Sequence, residues 1–144
     1  MLTPEQAREI PWAEVEAVRQ TIKEEERVAF TVVSGSMEPV IMTGEQIEVA
    51  PIASIDELRT FDILLFWNGK LLICHYLWHI NSLPGADGSR VVITRPLASL
   101  QGEDLPVPTP YILGKIVSHK IPFWRKLKVL LHKRSRDLKG GILS

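Results

Sequence analysis

Between residues 28 and 118 the apolar residues come in short runs, at 28–33, 46–51, 62–67, 71–80, 90–94 and 111–118. Segments carrying Gly, Pro, Asn and Ser separate them. Runs of this length between turn formers are strands, since a helix of ordinary length needs ten or more residues of sustained period. Asn68-Gly69, set between two apolar runs, predicts a two-residue hairpin, and Gly85-Ala86-Asp87-Gly88-Ser89 predicts a further turn. Pro96, Pro106, Pro108 and Pro110 keep 95–110 irregular or extended. Such a pattern restricts the chain to a mainly β core with helices at its ends.

The flanks read differently. Thr3-Pro4-Glu5-Gln6 is a helix start, with Thr3 as cap, Pro4 at the first helical position and Gln6 as capping partner. Residues 4–27 then carry a stripe of Ile10, Val15, Val18 and Ile22, with Pro11 dividing a short turn from a main helix that begins near residue 12. This helix either packs on the sheet or docks a substrate or partner. After Pro122, residues 123–138 are helix-compatible, and Gly140-Gly141 forms a stop. Trp124, Leu127 and Leu131 share one face of that segment, and Arg125, Lys128, Arg134 and Arg136 lie elsewhere. It either lies on a membrane surface or closes an open end of the core. One domain of 144 residues therefore has three parts: a helical segment over 1–27, a β domain over 28–118 and a basic helix or tail over 119–144.

Composition narrows the classes. A hydrophobic fraction of 45% with 24% charged residues is that of a folded globular protein. The single cysteine, Cys74, permits no internal disulfide. It adjoins His75, but neighbours on a strand point to opposite faces, so a buried thiol is expected rather than a Cys-His pair. No stretch approaches the ~18 apolar residues of a membrane span. The start Met1-Leu2-Thr3-Pro4-Glu5-Gln6 has neither the basic nor the apolar region of a signal peptide. A soluble, cytoplasmic chain is expected, with peripheral contact at the inner membrane face as an extension of that reading. The zero net charge is unevenly placed: residues 115–144 hold nine of the 17 Lys and Arg and one of the 17 Asp and Glu. A tail of that sign suits anionic lipid, nucleic acid, an acidic partner or the acidic front of its own chain.

One stretch carries chemistry. Ser34-Gly35-Ser36-Met37-Glu38-Pro39 follows the apolar run Val28–Val33. A strand that breaks at a small turn presents a hydroxyl outside the sheet. Gly35 lets backbone approach a ligand and tolerates unusual dihedrals, and Pro39 ends ladder pairing. Ser36 is thereby a presented nucleophile, or else part of an ordinary Ser/Gly turn. The hexapeptide resembles the nucleophile box, S-x-S-M-x-P, of the signal peptidase I and LexA-like serine peptidase superfamily. The resemblance runs on through Val40–Val49, Phe61–Trp67, Leu72–Leu77 and Ile112–Val117, about residues 28 to 118, and is most specific in the first box. It implies a coiled β-sheet core, with no metal and no cofactor.

A serine hydroxyl needs a neighbouring base. Much of the family uses a lysine, and His75 stands at the matching position here. This resembles the His-containing branch of signal peptidases found in the endoplasmic reticulum and archaea, although without their membrane anchor. Histidine titrates near ~6.5 and serves as a base near neutrality. His79, four residues on, competes with His75 if it shares the strand face, and His119 and His132 in the basic tail are expected to face solvent. In that branch an aspartate after a T-K-G-D-type segment orients the imidazole. Thr94-Arg95-Pro96-Leu97 stands there instead, and Asp104 is the nearest match, ahead of Glu103 and then of Asp62 and Asp87. The resemblance further implies an oxyanion hole from the Ser36 N–H and the Ser34 hydroxyl, with a simple turn cap as the alternative reading of Ser34. It implies an extended peptide or precursor protein as substrate, with specificity pockets near Val32, Val33 and Met37. Phe61-Asp62 departs from the usual Gly-Asp, and Tyr76 from the usual Arg. The expected activity is serine endopeptidase processing through an acyl-enzyme. Self-cleavage of the LexA kind fits poorly: no glycine precedes Gly35, and residues 1–27 are too short and acidic for a DNA-binding domain. No nucleic-acid partner is expected. A catalytically silent peptide-binding module of the same fold is the alternative from another class.

Overall fold

Strand β3, Ile63–Trp67, lies at the centre of a single curled antiparallel sheet and sets the two cores of the molecule. Ile63 and Leu65 enter one cluster, with Ile47, Val49, Tyr76 and Leu113, while Leu64 and Phe66 enter the other, with Leu77, Val92, Val107 and Ile112. Because both faces of this strand are covered, its sequence is continuously apolar rather than alternating. Each such side chain, fully buried, contributes about 1.5–3 kcal/mol. The computed structural model describes residues 9–82, 90–99 and 103–131.

The remaining strands are β1 (Val28–Thr31), β2 (Gln46–Ala50), β4 (Leu72–Ser82), β5 (Arg90–Arg95), β6 (Val107–Pro108) and β7 (Ile112–Ile116). They are ordered β1-β2-β7-β3-β4-β5-β6. The architecture is mainly β, as the run pattern indicates, but several details differ. The Asn68-Gly69 hairpin has a four-residue connection, residues 68–71, because Asn68 Oδ1 accepts the N–H groups of Lys70 and Leu71 at 2.9 and 2.8 Å. Strand β4 reaches Ser82, two residues beyond its expected end. Strand β6 falls within the irregular or extended reading of 95–110, and the 3-10 turn Thr109–Tyr111 departs from it. The turn expected at Gly85–Ser89 lies outside the described residues.

Helix α1 spans Trp12–Glu25, directly after Pro11, and ends at Glu26 in the left-handed region. The capping proposed for Thr3 and Gln6 lies outside the described residues. Ile10, Val15 and Ile22 are buried in the first core and Val18 packs at its border, which is the expected stripe. The approach to α1 is stapled to the β3–β4 turn: Ile10 N donates to Lys70 O at 2.7 Å, and the Trp67 indole donates to Ile10 O at 2.9 Å. Trp12 stacks at a tilt on Trp67 and Tyr111. A second helix, α2, covers residues 123–131, and the rest of the expected helix to 138 lies outside the described residues. Among the described residues no helix is long and apolar enough to cross a membrane.

Candidate active site

The nucleophile turn is built on the end of β1. Val32 stays paired beyond the strand, donating to Glu45 O at 2.9 Å and accepting from Gly44 N at 2.8 Å. Gly44 sits at φ 87°, a left-handed conformation that glycine adopts without penalty. The chain then folds over Met37, whose carbonyl accepts from both Val40 N and Ile41 N at 3.0 Å. Met37 is 1% exposed and belongs to the first core. It is therefore the anchor of the turn and not a wall of a specificity pocket, which corrects the reading of Met37 as substrate-binding. Gly35 does not use a left-handed conformation, and a Cβ there would lie 3.0 Å from the Glu38 carboxyl group, the movable end of a side chain. The Glu38-Pro39 peptide is cis. Ala98 N, on the segment after β5, donates to Ser36 O at 2.9 Å and holds the turn from the other side. At its surface the Ser34 and Ser36 hydroxyls are hydrogen-bonded to each other at 3.2 Å.

His75 sits where β4 has an open edge among the described residues. Residues 72–76 of β4 pair with β3, but pairing with β5 begins only at Tyr76. His75 therefore borders space on both faces of the sheet and lines a cavity on each. Its Nδ1 meets Asp104 Oδ2 at 2.5 Å. Asp104 is in turn held by Thr94 of β5: Asp104 N donates to Thr94 O at 2.9 Å and the Thr94 hydroxyl donates to Asp104 Oδ2 at 2.7 Å. Thr94 is fully buried. Sequence reasoning gave it no role. The signal was a polar residue inside the apolar run Val91-Val92-Ile93-Thr94, since a buried hydroxyl needs a partner.

Ser36 and His75 line one cavity of about 460 Å³, together with Ser34, Val32, Val33 and, at one end, Ile10. Among the described residues no hydrogen bond joins Ser36 to His75; the serine is bonded to Ser34. With Nδ1 turned to a carboxylate, a neutral imidazole carries its proton there and leaves Nε2 as the accepting nitrogen. A second cavity, of about 300 Å³, lies beyond His75 and is bordered by Asp104, Leu105 and Tyr111.

The other sequence-derived residues fall away from this centre. His79 is exposed, and a bulge between Leu77 and His79 gives β4 one residue more than β5, which turns His79 to the opposite face from His75. Glu103 is exposed. Asp62 accepts from Arg59 N and pairs with Lys115 at 3.4 Å. Asp87 and His132 lie outside the described residues. Cys74 lines the cavity beside His75, and burial pushes its thiol up to about 12, so it is no thiolate near neutrality. His119 is not solvent-facing as expected: it is bonded to Glu45 at 2.7 Å and to Ser118 at 2.8 Å. Among the described residues no cluster of His, Cys, Asp and Glu is placed to hold a metal ion. Comparison with protein-family models, with curated proteins and with solved structures finds no match to this chain.

Proposed function

We propose that the chain is a serine endopeptidase of the signal-peptidase type, acting on an extended peptide or precursor protein through Ser36, His75 and Asp104. The observation that carries this reading is that His75, paired through Nδ1 with Asp104, borders the same cavity as Ser36 on its tight turn. In the proposed reaction His75 Nε2 takes the Ser36 hydroxyl proton as Oγ attacks the scissile carbonyl. The tetrahedral intermediate collapses to an acyl-enzyme as the imidazolium returns that proton to the leaving amine. Water, deprotonated by the same imidazole, then hydrolyses the ester and restores Ser36. Asp104 holds the ring and stabilises its cation. The Ser36 N–H and the Ser34 hydroxyl are the oxyanion donors, each worth about 10²–10³ in turnover. The unpaired edge of β4 before Tyr76 offers main-chain groups to a strand-like substrate, and Val32 and Val33 face the same cavity.

A second reading is favoured by the hydrogen bond that engages the Ser36 hydroxyl with Ser34 rather than with His75. It is a silent peptide-binding module that keeps the groove and not the chemistry. Labelling with a fluorophosphonate at pH 6 to 9 separates the two. Catalysis requires labelling that is confined to Ser36 and is lost in both Ser36→Ala and His75→Ala. A folded chain that takes no label over that range yet binds an extended peptide is the silent module.

A further inference from the structure

Helix α2 is mounted with its apolar side outward. Phe123, Trp124, Leu127, Leu130 and Leu131 are all exposed, from 45% at Leu127 to 77% at Phe123. At 100° per residue these five positions fall within an arc of roughly 120°. The opposite side carries Val129, which is buried in the first core, and Arg125, whose guanidinium donates to Leu97 O at 3.2 Å. The helix is thus seated through the side opposite the arc, and among the described residues the arc itself stays exposed.

Charge decides what covers it. Lys126 and Lys128 flank the arc on its two sides by the same geometry, and Lys120 precedes it. Among the described residues no carboxylate pairs with any of the three, and residues 105–131 contain no Asp or Glu. Beside α2 lies a hollow of about 460 Å³ lined by Arg27, Lys115, His119, Lys120, Lys126 and one carboxylate, Asp62. Asp62 is already paired with Lys115, and Glu48 holds Arg27 at 3.0 Å. Lys126 lies over the Phe61 ring, 5.7 Å from its centre, at the rim. A second copy docked through this same face would set its lysines against lysines, since the nearby Asp62 and Glu48 already pair with Lys115 and Arg27. A surface of anionic headgroups over hydrocarbon matches both features: the apolar arc enters the acyl boundary, and the flanking lysines reach back to phosphates.

From this arrangement we infer that α2 and the adjoining basic hollow form a docking surface for an anionic phospholipid bilayer. The inference is independent of the peptidase reading, so Ser36→Ala binds vesicles as the parent chain does. The test is sedimentation of the full chain with phosphatidylcholine vesicles, pure or mixed equally with phosphatidylglycerol. Binding is expected to the mixed vesicles, with brominated lipid quenching a tryptophan signal that Trp124→Phe removes. Replacing Lys120, Lys126 and Lys128 by Gln is expected to weaken partitioning by about five-fold per lysine. The triple variant Phe123→Ser, Trp124→Ser and Leu127→Ser keeps Arg125 and Val129 and hence its seat, and is expected to lose binding at least ten-fold. Equal binding to both vesicle types, no binding to either, or an undiminished triple variant overturns the proposal. So does a lipid-free dimer that the triple variant dissolves, which would give the face to a second copy.

Discussion

Asp104 reaches His75 already committed to Thr94 by two hydrogen bonds, one through its backbone and one through its side chain. The carboxylate therefore has one orientation, and Oδ2 is shared between the threonine hydroxyl and the imidazole. If the proposed chemistry operates, Asp104→Asn leaves Ser36 in place but misdirects the ring tautomer, and acylation by the fluorophosphonate is expected to fall about 10³–10⁴-fold. Thr94 touches no substrate and is a positioning residue. Thr94→Val is expected to cost about ten-fold in the same assay, the worth of one hydrogen bond to a charged group, and Thr94→Ser to restore the rate. Phe61 poses a different balance. It adopts φ 78°, a region that favours glycine, yet its ring stacks on Tyr76 and meets Trp78 edge-on. Phe61→Gly would relieve about 1–2 kcal/mol of backbone strain. It would also forfeit a half-buried aromatic worth about 3 kcal/mol when fully packed to Ala, and would add the flexibility of glycine in the unfolded chain. Packing wins, and urea unfolding is expected to show a net loss of about 1 kcal/mol.

At the scale of elements, β4 does two jobs along its length. Residues 72–76 ladder with β3 and residues 76–82 with β5, so Tyr76 is the point where the strand changes partner, and before it the side toward β5 is an edge among the described residues. The site sits at that change of role. The bulge between Leu77 and His79 then reverses the face of every later residue, so His79→Ala is expected to leave any Ser36 acylation unchanged. Strand β7 is wedged between β2 and β3, and Gly114 is its tightest point: a Cβ there would lie 2.6 Å from both Ala50 O and a Val49 methyl group. Backbone cannot yield as a side-chain end can. Gly114→Ala is expected to destabilise the chain by about 1–3 kcal/mol or more, measured by denaturant midpoint with unchanged slope. Helix α1 was legible from Pro11 and the stripe Ile10, Val15, Ile22, because helix starts and apolar periods are local signals. The length of the β3–β4 connection was not, because Asn68 folds its own side chain back onto Lys70 and Leu71.

In the whole molecule, the two ends of the β region are tied through a polar chain. Glu45 accepts from Met42 N at 2.9 Å and from His119 at 2.7 Å, and Ser118 joins His119 to Glu48 N. The Met42 N–H, and then the His119 hydrogen bond, hold the Glu45 carboxyl below its ordinary value of 4.5. A depressed carboxyl contributes stability that is complete above 4.5 and is lost as pH falls through the folded value. Glu45→Gln should accordingly flatten the fall in thermal midpoint on acidification below pH 4.5, and an unchanged slope would place the acid sensitivity elsewhere. The sequence by itself determined the mainly β class, the helix after Pro11 and the serine turn, since each is written in neighbours within a strand, helix or turn, whereas the pairing of that turn with His75 rested on a family resemblance. It ranked Asp104 ahead of Glu103 and Asp62 only through that resemblance, and it could not send Met37 to the core, turn His79 away or set His119 against Glu45. Those outcomes depend on contacts across 29 residues for His75–Asp104 and 74 for His119–Glu45, which exist only once the sheet has curled and its bulge has set the register.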